Sequence, residues 1–68
     1  MNLRTVMKSE GTMRTKLTEL RDRLLATQKE IVHAAAEAGT IPSDNALRKI
    51  ADLEVAIGAV EHMLEQSK

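Results

Sequence analysis

Apolar residues recur along this chain at alternating steps of four and three. Between Thr12 and Ala38 they fall at Met13, Leu17, Leu20, Leu24, Ile31, Ala34 and Ala38, with Thr27 filling the one polar gap. Such steps keep side chains on one stripe of a 3.6-residue helix, and their sustained alternation is the heptad seam of a helix packed on another. No Gly or Pro interrupts the stretch. Gly39 stands where a left-handed C-terminal cap belongs and Pro42 follows as a stop, so the pattern predicts a helix over about 12–38.

The same period returns after Pro42, at Ala46, Ile50, Leu53, Ile57, Val60 and Leu64. Ser43 or Asp44 can cap its start, which predicts a second helix over about 44–66. Only Gly39 to Pro42 lie outside both patterns. A connection that short forces the helices to lie antiparallel as neighbours. The fold class is therefore all-α: a two-helix antiparallel hairpin forming one domain over 12–68. Its predicted core is Leu17, Leu20, Leu24 and Ile31 on the first helix, with Ile50, Leu53, Ile57, Val60 and Leu64 on the second. Residues 1–11 mix apolar and charged side chains without a clear period and are expected to form a flexible arm. Leu3, Val6 and Met7 are spaced so that the arm can order as a helical turn on binding.

Size makes one hairpin insufficient. The chain has 68 residues, no cysteine and no Phe, Tyr or Trp, so disulfides, thiolate metal sites and large aromatic anchors are all excluded. A domain this small is marginally stable, and oligomerisation or a partner is the remedy left. A second apolar stripe points the same way. Leu25, Val32 and Ala35 on the first helix, with Leu47, Val55, Ala59 and Met63 on the second, are the predicted partner-binding residues, supplemented by Ala51 and Ala56. They predict either a homodimeric four-helix bundle or docking on a helical protein partner. Gly58, costly inside a helix, is expected to mark a close approach to Leu24 and Leu25.

Charge agrees with the fold-back. Residues 1–29 carry seven basic and three acidic groups, and residues 30–68 carry three basic and seven acidic, for a net charge of zero. Cations near the start of the first helix and acids near the end of the second both oppose the helix macrodipole. Folding about residue 41 brings Arg21 level with Glu61 and Lys16 level with Glu65, so these groups are expected to set register more than stability.

Candidate chemistry is thin. His33 and His62 have no second histidine at helical spacing, and Glu30, His33 and Glu37, like His62 and Glu65, read as solvated faces; no metal site is expected. Ser43 is explained by capping, and a hairpin offers no concave pocket to tune a carboxylate. No enzyme activity, cofactor or small-molecule substrate is expected. Arg14, Lys16, Arg21 and Arg23 form one basic cluster, yet no aromatic residue is present to stack on bases and the net charge is zero, which weighs against nucleic acid. An RNA- or DNA-associated regulatory bundle, by fold-level analogy with plasmid-encoded hairpins of the Rop type, stands as the alternative, as does a structural subunit of a phage or secretion assembly. No apolar run is long enough for a membrane span and no signal-peptide core is visible, so the expected location is the bacterial cytoplasm.

Leu20-Arg-Asp-Arg-Leu24, then Gly39-x-x-Pro42, then Leu53-Glu-x-Ala-Ile57-Gly-Ala-Val60 resembles the small needle-protein co-chaperones of type III secretion, the YscE/PscE family. The resemblance covers roughly residues 14–66. It implies a hairpin that pairs with a larger helical-repeat chaperone and helps keep the needle subunit unpolymerised in the cytoplasm. Leu17, Leu20, Leu24, Ile31, Ile57 and Val60 would then be core or partner-facing positions.

Overall fold

The computed structural model describes the backbone of residues 2–66 and the side chains of residues 13–66. Two helices make up the fold, α1 (Asn2–Ala38) and α2 (Asp44–Gln66), packed antiparallel as an all-α hairpin. α1 begins ten residues ahead of the seam's start at 12, because Gly11 weakens a helix interior without breaking it. The reading of residues 1–11 as an arm turns on side chains that lie outside the described residues.

The turn is built from local chemistry. Gly39 adopts a left-handed φ of 69°; its N–H donates to the Ala36 carbonyl at 3.2 Å, and the Thr40 N–H donates to the Ala35 carbonyl at 3.2 Å. This pair of bonds is a Schellman cap, which satisfies carbonyls that the helix end would otherwise leave bare. Across the turn, the Ser43 hydroxyl oxygen accepts from the Ala46 N–H at 3.2 Å, and the Ser43 carbonyl accepts from Leu47 at 2.8 Å. Ser43 is thus the N-cap, with Asp44 favourably placed in the first turn.

Two cross-hairpin contacts fix the register. The Arg14 Nη1 donates to the Leu64 carbonyl at 3.1 Å. The Gln28 Nε2 donates to the Ile50 carbonyl at 3.3 Å and to Glu54 Oε1 at 2.9 Å. The Arg14–Leu64 and Gln28–Ile50 bonds centre the fold-back on residue 39 and the Gln28–Glu54 bond on residue 41, the position read from the charges. The hairpin measures 55 × 18 × 16 Å with a radius of gyration of 16.3 Å, against about 11 Å for a compact domain of this length.

Its core is slight. Among the described residues only Ile57 and Val60 are buried, at 6% and 7% exposure. Leu17, Leu24 and Ile31 of α1, and Ile50, Leu53 and Leu64 of α2, are half-buried between the helices as their seams predict. Leu20 is not: it is 37% exposed, and Thr27 and Ala34 are exposed with it. The half-buried company of Leu17, Leu24 and Ile31 is instead Arg21, Gln28 and Ala35, together with Thr18 and Leu25.

In heptad terms, with Leu17, Leu24 and Ile31 at a, α2 lies over the a and e positions of α1, and the d positions turn aside. The e stripe reads Arg14, Arg21, Gln28 and Ala35, and two of its members hydrogen-bond to α2. Ala35, small enough for close packing, ends the stripe near the turn.

Candidate functional site

Packing α2 over the a and e positions leaves the hairpin with two unlike broad faces. On one, Arg14, Thr18 and Arg21 of α1 meet Gly58, Glu61, His62, Leu64 and Glu65 of α2 along an open groove. Arg14 anchors it by donating to Leu64, one of the last carbonyls of α2, where a positive charge also complements the helix end. The basic cluster lies well inside α1, so the macrodipole penalty expected at that helix's start does not arise for it.

The expected ion pairs are replaced by other contacts. Arg21 Nε and Nη2 each donate to Asp22 Oδ1 at 3.3 Å, not to Glu61, and Lys16 makes no ion pair with Glu65. Register therefore rests on Arg14 and Gln28, which the apolar pattern passed over. Their spacing of fourteen residues, with Arg21 midway, was the available signal: a polar stripe in heptad phase with the seam.

Gly58 also departs from expectation. A Cβ built on it meets nothing within 4 Å, so it marks no close approach to Leu24 or Leu25 and simply lines the groove.

The opposite face is apolar. Met13, Leu20, Thr27 and Ala34, the d stripe of α1, lie on the flank of the seam away from Arg14 and Arg21. Met63 and Ala56 of α2 lie on the same side by helical phase, opposite Gly58, Glu61 and Glu65 of the groove. Met13 is 58% exposed and Met63 is 52% exposed. The large side chains gather at the open end of the hairpin, and the small ones lie toward the turn.

The residues read as one partner-binding stripe divide. Leu25 and Ala35 are half-buried between the helices, because b and e positions of α1 lie toward α2. Val32 and Leu47, 43% and 44% exposed, sit on the groove side near the turn. Val55, 73% exposed, and Ala59 point outward from the back of α2, while Met63 lies on the apolar face. The site residue that the pattern assigned to the core and the structure turns outward is Leu20.

Among the described residues no group of three His, Asp or Glu side chains converges as a metal site, and no helix is long and apolar enough to cross a membrane. Compared with known proteins, the chain matches no family model, no curated protein and no solved structure.

Proposed function

We propose that this chain works by binding, as a protein-interaction module of the chaperone, adaptor or anti-activator type, and that its apolar face is covered by other helices when it acts. One observation carries the reading. Among the described residues the hairpin exposes Met13, Leu20 and Met63 on one side and buries only Ile57 and Val60 within itself. Large apolar side chains exposed together on a small chain are characteristic of an interaction site.

The groove offers weaker support for RNA. Arg14 and Arg21 share it with Glu61 and Glu65, so a phosphate backbone would meet carboxylates beside each guanidinium. The resemblance to type III secretion co-chaperones supplies the most specific heterologous partner for the apolar face, a helical-repeat chaperone that holds a needle subunit.

Oxidative footprinting tests the reading. Met13 and Met63 should oxidise slowly in the native cell and fast in dilute, unfolded chain, because covering the face removes both thioethers from solvent. Oxidation in the cell at the unfolded chain's rate would mean that the face stays bare, and the proposal would fall.

A further inference from the structure

The exposed side chains bordering the apolar face on α1 carry charge in an order that the hairpin itself does not use. They are Lys16, Arg23, Glu30 and Glu37, each seven residues from the next, all exposed and none in an ion pair within the described residues. Basic, basic, acidic, acidic is a sequence that complements itself when reversed. We propose that the apolar face is covered by a second copy of this chain, with the two α1 helices antiparallel across a two-fold axis. This rests on the face being covered and names what covers it.

Charge and apolar registers agree on that arrangement independently. Antiparallel heptad packing sets each a residue opposite a d residue and each g residue opposite a g. Lys16 against the partner's Glu37 and Arg23 against the partner's Glu30 define one alignment. The same alignment places Leu17 against the partner's Ala34, Leu24 against the partner's Thr27 and Ile31 against the partner's Leu20. Large therefore meets small in two of the three layers, and the outward turn of the d stripe from α2 becomes the device that exposes it to the second copy. A parallel pair would bring the two basic halves side by side and the two acidic halves likewise, which like-charge repulsion disfavours.

Area permits the same conclusion. A specific dimer buries about 800 Å² per partner, and Met13, Leu20 and Met63, at 58%, 37% and 52% exposure, are there for it to cover. The two hairpins then form a four-helix bundle, and the groove of Arg14, Arg21, Glu61 and Glu65 stays on its outside.

Charge exchange tests this on the full chain. The Glu30→Lys/Glu37→Lys variant makes the border wholly basic, and the Lys16→Glu/Arg23→Glu variant makes it wholly acidic. By sedimentation equilibrium the wild type should have twice the chain mass. Each variant alone should dimerise about tenfold or more weakly, and an equimolar mixture should recover a dimer containing one of each. All four side chains are exposed, so circular dichroism should report unchanged helicity at concentrations where the variants associate. A monomeric wild type, or variants that each dimerise as tightly as it does, would overturn the proposal. A monomeric wild type whose Met13 and Met63 are nonetheless protected in the cell would leave the face covered by a different protein. Unprotected methionines would remove both readings.

Discussion

Gly39 and Gly58 are both exposed helix-associated glycines, and a Cβ at either meets nothing within 4 Å. Backbone conformation alone separates them. Gly39 holds a φ of 69°, where an L side chain is penalised by about 1 kcal/mol or more, so Gly39→Ala should lower the melting midpoint by several degrees. Gly58 sits in ordinary helical conformation within α2, and alanine is better there by about 1 kcal/mol, so Gly58→Ala should raise the midpoint by a similar amount. Thermal unfolding at one fixed protein concentration reads both. A drop for Gly58→Ala would mean that some backbone seats against the groove in the working molecule. The cap at Ser43 belongs to the same scale: Ser43→Ala removes the acceptor for the Ala46 N–H and should cost about 1 kcal/mol.

At the scale of the helices, the apolar pattern made the number, ends and antiparallel course of α1 and α2 legible from residue 12 onward, because caps and periods are local properties of the chain. It did not reveal which way α1 faces. A heptad stripe of a and d residues tells that a helix is packed, and a hairpin with one neighbour can satisfy the stripe on either flank. Here α2 lies over the e flank, where Arg14 and Gln28 hydrogen-bond to it and Leu25 and Ala35 are half-buried, and Leu20 is left outside. On α2 the seam residues Ile50, Leu53, Ile57, Val60 and Leu64 are all buried or half-buried. Leu20→Asp separates the two assignments. A charge in the inner seam would unfold the chain, since an unpaired buried carboxylate is strongly destabilising. On the exposed d stripe the same change should weaken association, with the helical circular dichroism intact at concentrations where the chain still associates. Leu24→Asp, at a shared a position, should remove both.

For the whole molecule the governing fact is how little lies inside it. Ile57 and Val60 are the only buried side chains among those described, and the conformational entropy of ordering two long helices has to be offset mostly by half-buried Leu, Ile and Ala. If the second copy completes the core, folding and association become one equilibrium, and the melting midpoint must depend on concentration. A tenfold rise in concentration then favours the dimer by about 1.4 kcal/mol. Divided by the unfolding entropy of two 68-residue chains, this raises the midpoint by about 5 °C. Ile57→Ala should move the whole series down, by an amount corresponding to about 2–4 kcal/mol per chain, while keeping the same slope. Calorimetry across two decades of concentration measures both quantities. A midpoint that stays flat would mean that the lone hairpin holds itself together, and the exposed d stripe of α1 would then have no part in its stability.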